Sequence, residues 1–324
     1  MGSGTYRLIL GIRSLAIAAF LLLIASPIAL AVFRLIGVAG ANPGAWIETL
    51  DGNYMSAGAI EFTFLQSTLS SLATISLGLP VAWLLGRYDW RMQSIIRAVL
   101  TVPFVMPSII AAMGILTLTG DSALGIRSDE GTWFWTLIIA HAWFNMSLVI
   151  RFCEPILATL DPSMEEQLRL LPAGRTISGR VRHLWLPVLI PPLSASFCMS
   201  FVFSFTSFAL VRWITIRDNT LESVMAISSP SAGIDGYMAF TSEIVLASSL
   251  IQFAVLSVSL WLASRIQREL QRQYPMAPAR VARGRFDYGW VFMAPALLFS
   301  IAPILSVAIG SVRVRTVELS LIHI

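Results

Sequence analysis

The sequence predicts an all-α protein that crosses a membrane several times. Of its 324 residues, 56% are hydrophobic and only 12% are charged, and its mean hydropathy is +0.76. A soluble domain carries about 25% charged residues, so this chain has too few charges to cover a surface that faces water. The bilayer is therefore the predicted solvent for most of the chain.

Seven apolar segments are long enough to cross a bilayer as helices, which requires about 20 mostly apolar residues. Each segment is uncharged inside or carries arginine only near its ends. The first is longer than the apolar core of a signal peptide, so we expect it to be retained. The segments cover residues 12–38, 62–86, 95–118, 133–152, 184–211, 244–263 and 288–312.

Several of these spans contain proline. A membrane helix tolerates proline where neighbouring helices satisfy the freed backbone groups. The sequence leaves two interpretations open for each proline, a simple kink or a broken helix that lines a cavity. The prolines are Pro27, Pro80, Pro103, Pro107, Pro191 and Pro192.

The arginines predict the orientation of the chain, since cytoplasmic loops carry the excess of basic residues. All 22 basic residues are arginine, and 16 of them fall in four regions that lie on one side of the predicted spans. The opposite loops are mainly acidic. The N-terminus and the four regions are therefore predicted to be cytoplasmic. The 16 are Arg7, Arg13, Arg87, Arg91, Arg97, Arg151, Arg169, Arg175, Arg180, Arg182, Arg265, Arg268, Arg272, Arg280, Arg283 and Arg285.

Several kinds of site are not predicted. Cys153 and Cys198 lie in or beside apolar segments without a CxxC motif, and the three histidines are too scattered for a metal site. No basic stripe interleaves with aromatic residues, so nucleic acid is not an expected partner. There is no glycine-rich P-loop for ATP. We expect neither a catalytic site nor a cofactor or metal.

The loop at residues 160–187, between the fourth and fifth predicted spans, predicts a short helix with its own start signal. Asp161 and Pro162 supply an N-cap and a first-turn proline. Glu165 and Glu166 follow in the first turn, where the helix dipole favours carboxylates. The helix is therefore expected to begin at Pro162.

An apolar face and an end signal complete this helix. Leu168, Leu171 and Met164 have helical spacing, and residues 173–174 (Ala-Gly) are expected to end the helix. A basic stretch, residues 175–183, then leads back to the membrane. A short amphipathic helix that lies across the end of a bundle is well placed to receive force from a partner protein. The alternative is an ordinary amphipathic helix on the membrane surface.

This loop resembles the EAA loop of ABC-importer permeases: Glu-Ala-Ala, three residues, Gly, nine residues, then Ile-x-Leu-Pro. Here Gly174 is followed by nine residues and then by Leu184-Trp185-Leu186-Pro187. Glu166 takes the glutamate position, but Gln167 and Leu168 replace the alanines, and the spacing to Gly174 is two residues longer. Alternatively, Pro172 stands at the glycine position.

In that family the loop forms a coupling helix that sits in a groove of a cytoplasmic ATPase. The resemblance implies that role for Asp161, Glu165, Glu166, Arg169, Gly174, Leu184 and Pro187.

The resemblance covers about residues 60–268 and includes further segments that are typical of the family. It is closest to the thiamine and ferric-iron permeases, in which two such halves are fused in one chain. Residues 212–217 (RWITIR) replace the glycine-rich stretch that is frequent in the family. The typical segments are residues 62–67, 78–80, 103–107 (PFVMP), 140–145 (AHAWFN), 205–209 (FTSFA) and 220–222.

The fused layout implies an organisation for the whole chain. Residues 1–272 are expected to form a six-helix permease half, 273–287 a cytoplasmic linker, and 288–318 the truncated start of a second half with its first helix. The last six residues, 319–324 (LSLIHI), are what a transposon-end sequence used in sequencing adapters would encode. We therefore expect residues 319–324 to be non-native.

The resemblance also implies function and partners. Cytoplasmic ABC ATPase subunits would drive alternating access, and a periplasmic solute-binding protein would deliver a small solute, most readily thiamine or ferric iron, to a multi-pass protein of the inner membrane. Membrane lipids surround it. Polar groups inside the bilayer tend to face the bundle interior, so Asn145, Ser204, Thr206 and Ser207 are candidates for the solute path. Packing hydrogen bonds between helices are the alternative role for each.

Two other functions remain open from the sequence. A secondary, ion-coupled transporter would need an ion gradient in place of ATP, and no span holds a central carboxylate with a basic partner. A membrane assembly or sensor protein would need no ATPase, and deletion of residues 161–187 would leave its function intact.

Overall fold

The structure is a computed structural model that describes residues 3–40, 42–51, 57–119, 132–215, 220–227, 238–273, 284 and 287–322. Within these residues the chain is helical and contains no strand. The prediction of an all-α polytopic membrane protein is thereby confirmed. The helices are α1 (Ser3–Ala39), α2 (Pro43–Asp51), α3 (Ala59–Arg87), α4 (Gln93–Val105), α5 (Ser108–Thr119), α6 (Trp133–Thr159), α7 (Pro162–Leu170), α8 (Ile177–Arg180), α9 (Leu186–Phe205), α10 (Ala209–Ile214), α11 (Leu221–Ile227), α12 (Met238–Gln273) and α13 (Trp290–Ile322).

Three helices, α3, α6 and α9, pack against one another at the centre. Small residues on α3 make the close approach possible. A Cβ atom at Gly78 would lie 2.7 Å from Cβ of Val149, and one at Gly86 would lie 2.6 Å from Cβ of Leu157. Both partners are on α6, so only glycine fits at these two positions, as expected where membrane helices pack closely.

Four hydroxyl groups of α3 are satisfied within the helix, which lets them be buried in an apolar medium. Thr63, Ser67, Ser71 and Thr74 each donate to the carbonyl oxygen four residues earlier, over 2.5 to 2.7 Å. All four side chains are fully buried. Because each donor is paired, this polar face costs little to bury.

Six helical segments are long and apolar enough to cross a membrane: residues 13–37, 59–87, 133–159, 177–205, 244–269 and 290–312. Together with the α4–α5 pair they correspond to the seven predicted spans. Helix α12 packs against α9, and α1 packs against α12 at the periphery. Helix α13 packs against α4 and α5, where Ser306 donates to the carbonyl oxygen of Gly114 over 2.7 Å.

The third predicted span, residues 95–118, is not one helix. Helices α4 and α5 meet at 99°. The break falls at Met106, which has extended backbone angles (φ −71°, ψ 142°) and precedes Pro107. A residue before proline is pushed out of the helical region by the proline ring, which explains the position of the bend.

The fifth predicted span, residues 184–211, has different bounds. The apolar helical segment begins at Ile177, passes through a π-helical turn at Val181–Trp185 and ends at Phe205. Residues 206–208 break the helix before α10. Proline at positions 191 and 192 does not interrupt α9. Most of the expected linker, residues 274–283 and 285–286, lies outside the described residues, and so do 323–324 of the expected tail.

Candidate functional site

Helix α7 begins as the sequence predicts. The Asp161 carboxylate accepts a hydrogen bond from the backbone N–H of Ser163 over 2.9 Å, and Pro162 is the first helical residue. This backbone hydrogen bond lowers the pKa of the Asp161 carboxyl below its usual value. Glu165 lies in the first turn as predicted, whereas Glu166, which was expected there too, lies just beyond it. The loop therefore has the N-terminal cap expected of an independent short helix.

The end of α7 differs from the prediction. The helix stops at Leu170, before Ala173 and Gly174, and Pro172–Gly174 forms a separate 3-10 turn. The proline accounts for the earlier stop. Gly174 is buried, and a Cβ atom there would lie 1.9 Å from the carbonyl oxygen of Leu168. Glycine is thus required for the chain to fold back against α7.

The predicted apolar face is only partly correct. Leu168 packs against the central cluster of α3, α6 and α9. Met164 and Leu171, which were expected to share that face, are exposed, and Leu170 is 83% exposed. Among the apolar side chains of α7, Leu168 therefore packs against the bundle, whereas Met164 and Leu170 are exposed.

The acidic residues of α7 have two different positions. Glu165 is nearly buried and forms an ion pair with Arg87 at the end of α3, whereas Glu166 is exposed. Arg169 approaches Glu165 from the exposed side at 3.8 Å. The sequence reasoning missed Arg87, because nothing in one sequence relates two residues 78 positions apart.

The second half of the motif leads into α9. Leu184 is buried within the π-helical turn, and Pro187 is the second residue of α9, directly after that turn. Trp185 is buried beside Leu184. The motif thus marks the point where the loop becomes a membrane helix.

A second ion pair that the sequence analysis missed joins α4 to α6. The guanidinium of Arg97 forms a two-pronged contact with Glu154, with Nε 3.1 Å from Oε2. Glu154 is buried. It lies beyond the predicted fourth span, which ended at residue 152, whereas α6 continues to Thr159. Both ion pairs lie where the arginine-rich loops meet the helices, which we call the arginine-rich end of the bundle.

Polar side chains also meet inside the central bundle, far from these charges. Asn145 Nδ2 of α6 lies 3.3 Å from Oγ of Ser204 on α9. Gln66 Nε2 of α3 donates to the carbonyl oxygen of Ser204 over 2.9 Å. The Ser70 hydroxyl lies 3.2 Å from Nδ1 of His141. These contacts link all three central helices through neutral groups.

A cavity of about 410 Å³ opens beside this cluster. Of the four candidate path residues, Asn145, Thr206 and Ser207 line it, while Ser204 lies behind Asn145. His141 also lines the cavity and is almost fully buried. The remaining lining residues are Phe104, Ser108, Phe144, Phe203, Phe208, Ala209 and Leu210.

Two polar atoms of the lining residues stand out. His141 Nε2 and Asn145 Oδ1 are buried and have no hydrogen-bond partner within the described residues. Both side chains belong to α6 and lie one helical turn apart. In the described part of the chain, no group of three His, Cys, Asp or Glu side chains is placed to hold a metal ion. The cavity thus offers neutral hydrogen-bonding groups among aromatic rings.

Comparison with known proteins agrees with this arrangement. Residues 78–272 match the family model of the binding-protein-dependent transport system inner membrane component. The sulfate transport system permease protein CysT of Salmonella typhimurium is 26% identical over 223 residues, which cover 65% of this chain and 80% of that protein. A probable molybdenum ABC transporter permease protein of Haloferax volcanii is 26% identical over 187 residues, 56% of this chain and 66% of that protein.

A third relative is longer than this chain. The maltose/maltodextrin transport system permease protein MalF of Klebsiella aerogenes is 23% identical over 197 residues, which cover 56% of this chain and 37% of that protein. These three relatives are named for sulfate, molybdenum and maltose, so they do not confirm the thiamine and ferric-iron subfamily. Because the family model covers more than half of the sequence, the chain belongs to the inner-membrane permease components of binding-protein-dependent ABC importers.

Proposed function

We propose that this chain is the membrane-spanning subunit of an ATP-driven importer and that its loop at residues 160–187 binds a cytoplasmic ABC ATPase. The chain moves solute through the bundle and leaves ATP hydrolysis to that partner. The observation that carries the proposal is the exposed apolar surface of the loop, at the arginine-rich end of the bundle.

This surface needs a protein partner for a physical reason. Leu170, Leu171 and Ile177 are exposed, yet charged residues surround them on the same loop. Burial of this surface in lipid hydrocarbon would be costly, because it would also bury charged side chains. These are Glu166, Arg169, Arg175, Arg180 and Arg182. An exposed apolar patch with a charged rim is typical of an interface with another protein.

The test replaces apolar side chains on this surface and measures retention of the ATPase. The chain is co-expressed with each ABC ATPase encoded beside it, and the ATPase that co-purifies is quantified. Leu170→Gln with Leu171→Gln should lower retention about tenfold or more, the loss expected for a pair of central interface side chains. Met92→Gln is the matched control, because Met92 is 63% exposed on the turn before α4, outside the loop.

Equal retention by both variants would contradict the docking surface.

The same preparation distinguishes an ATP-driven importer from a secondary transporter. Transport in sealed vesicles should require ATP and persist after the ion gradients are dissipated. Uptake that follows an ion gradient and ignores ATP would overturn the proposal.

We also infer the orientation and the organisation of the chain. The N-terminus and the loop at 160–187 face the cytoplasm, a periplasmic binding protein approaches the opposite end, and residues 288–318 begin a second permease half. Labelling of single cysteines from each side of inverted and right-side-out vesicles tests the orientation. Sequencing the DNA on both sides of this frame tests the organisation, since a fused protein requires a second loop of the same type.

The cavity beside Asn145 is the proposed solute path. Its lining residues include no carboxylate and no arginine, so a bare ferric ion would find no charged ligand in it. One experiment measures uptake of four solutes, each supplied with its own binding protein. Sulfate and molybdate represent the relatives, and thiamine and ferric iron represent the subfamilies that the sequence resembles.

A second experiment tests the path itself. Asn145→Leu should lower uptake of the transported solute while ATPase retention stays unchanged. Unaltered uptake would make Asn145 a packing residue.

A further inference from the structure

Arg87 occupies an unusual position at the junction of three elements. It is the last residue of α3, and its guanidinium forms an ion pair with Glu165 of α7. The same group lies over the ring of Trp185, 4.2 Å from the ring centre, in the turn that leads into α9. It also lies 5.5 Å from the ring centre of Trp83, one turn back on α3.

We propose that Arg87 is the positioning residue that transmits movement of the loop to the central helices. In this role Glu165 carries the displacement of α7, Arg87 receives it, and α3 and α9 move with Arg87. The inference rests on the proposed function, because it requires an ATPase that moves the loop. It goes further in assigning the transmission to one buried side chain outside the loop.

Burial makes this contact firm. The side chains of Arg87 and Glu165 are only 12% and 14% exposed, so water and salt screen their attraction less than in a surface pair. The hydrogen bond between them joins two ionised groups, which is the stronger kind. The rings of Trp83 and Trp185 touch each other edge to face, with centres 4.5 Å apart. The guanidinium is thus held by attraction to the rings as well as by the carboxylate.

The two helices attached to Arg87 lead to the cavity. Helix α3 continues from Arg87 back to Gln66, and α9 continues from Trp185 forward to Ser204. Gln66 and Ser204 are hydrogen-bonded to each other, and Ser204 contacts Asn145 at the cavity wall. A displacement of Arg87 therefore reaches both helices at one end of the bundle and the polar cluster at the other.

Arg169 provides a matched control within the same site. It approaches the same carboxylate at 3.8 Å, from one helical turn away on α7, and its side chain is 59% exposed. Such an exposed pair contributes little, and it connects α7 only to itself. Loss of Arg169 removes one positive charge from the site, as loss of Arg87 does, but leaves the connection to α3 and α9 intact.

The experiment measures nucleotide-driven movement without needing the solute. Cys153 and Cys198 are replaced by serine, and Ser207→Cys provides a reporter at the cavity. The permease is reconstituted with the ATPase that co-purifies with it. The rate of labelling by a membrane-impermeant maleimide is compared with and without ATP plus vanadate. The parent should change its labelling rate about fivefold or more, within the usual range of coupling between distant sites.

Arg87→Gln, which lies outside the loop, should retain the ATPase and its basal hydrolysis but lose the nucleotide-dependent change in labelling. Glu165→Gln should lose the same change, and Arg169→Gln should keep it, each compared per molecule of ATPase retained. Arg87→Lys should give an intermediate change, because lysine keeps the charge but lacks the planar group that stacks on the tryptophan rings. If Arg87→Gln fails to insert, Glu165→Gln decides, since that residue lies on the loop outside the membrane.

Two outcomes would overturn the inference. One is a parent-like change in labelling in Arg87→Gln or Glu165→Gln. The other is that the variants lose the ATPase to the same extent as they lose the change in labelling. The pair would then belong to the docking surface alone. A parent that retains no ATPase, or that retains one without any nucleotide response, would instead contradict the proposed function.

Discussion

The arginine-rich end of the bundle and its interior are held together by different chemistry. At the arginine-rich end, partly buried ion pairs join separate elements: Arg87 to Glu165, and Arg97 to Glu154. In the interior of α3, α6 and α9, the polar contacts described above are hydroxyl, amide and imidazole groups without formal charge. The difference follows the medium, because an ionised side chain is far more costly in hydrocarbon than near water.

This difference suggests a division of roles. Ion pairs at the arginine-rich end fix the loop to the helices in a defined place, as required for transmission of force. The neutral network inside consists of contacts that can exchange with one another or with a solute at small cost. Single substitutions at the arginine-rich end should therefore mainly alter coupling to the ATPase. Single substitutions in the interior should mainly alter helix packing.

The largest effect is expected at Gly174 in the loop. In Gly174→Ala the new methyl group overlaps the backbone of α7 at Leu168, so the loop must refold locally at a cost of about 1–3 kcal/mol. ATPase retention should fall about tenfold or more, while the amount of protein inserted in the membrane stays close to the parent. Gly37→Ala is the control, because a Cβ atom there meets nothing within 4 Å. Retention at the parent level would show that the loop accommodates a side chain.

The counterpart in the interior is Gly78, where α3 touches α6. Gly78→Ala places a methyl group 2.7 Å from Cβ of Val149 and should lower stability by about 1–3 kcal/mol. Thermal unfolding in detergent measures the loss, again against Gly37→Ala. ATPase bound per folded molecule should not change. A fall in that ratio would show that the two regions are not separable in the way proposed.

The ion pair between Arg97 and Glu154 sharpens the comparison at the boundary between the regions. Arg97→Gln leaves a buried carboxylate without its two-pronged partner, and a loss of about 1–2 kcal/mol is expected, reduced because Arg97 is 44% exposed. Thermal unfolding of Arg97→Gln, of Glu154→Gln and of the double variant measures the coupling energy between the two side chains. The double variant should be more stable than Arg97→Gln alone. Additive losses would mean that the pair contributes nothing.

The smallest effect is expected at the exposed N-cap of α7. Because a hydrogen bond lowers the pKa of Asp161, the cap is complete above the ordinary aspartate pKa and weakens as the pH falls through the lowered value. Hydrogen exchange of the Ser163 amide, corrected for its intrinsic pH dependence, should therefore speed up in acid. Asp161→Asn keeps an acceptor and should remove this dependence. The same acid response in both proteins would assign it to another group.

The sequence was sufficient for features that depend on local composition. Hydropathy located the six helical segments that are long and apolar enough to cross a membrane, together with the bent α4–α5 pair. The Asp161–Pro162 pair located the start of α7. Proline was ambiguous in the spans: Pro107 accompanies a bend of 99°, whereas Pro80, Pro191 and Pro192 lie within continuous helices. Whether a proline breaks a helix depends on what packs beside it, which composition does not specify.

Features that depend on distant contacts were not accessible from the sequence. The partner of Glu165 lies 78 residues away and that of Glu154 lies 57 residues away, and neither pair has a local signature. The apolar face of α7 was misjudged for the same reason. Leu168, Met164 and Leu171 have one spacing pattern, and only the position of the helix against the bundle decides which of them is buried.

The bend between α4 and α5 has a consequence for the surrounding bilayer. A straight helix adjusts to a thicker membrane by tilting less. Two arms of 13 and 12 residues, about 20 and 18 Å long, can also adjust by opening the angle between them. Phe104 and Ser108 stand on either side of the bend and line the cavity. We therefore expect lipid chain length to act on the width of that cavity, which would make the acyl composition of the membrane a variable of the proposed transport.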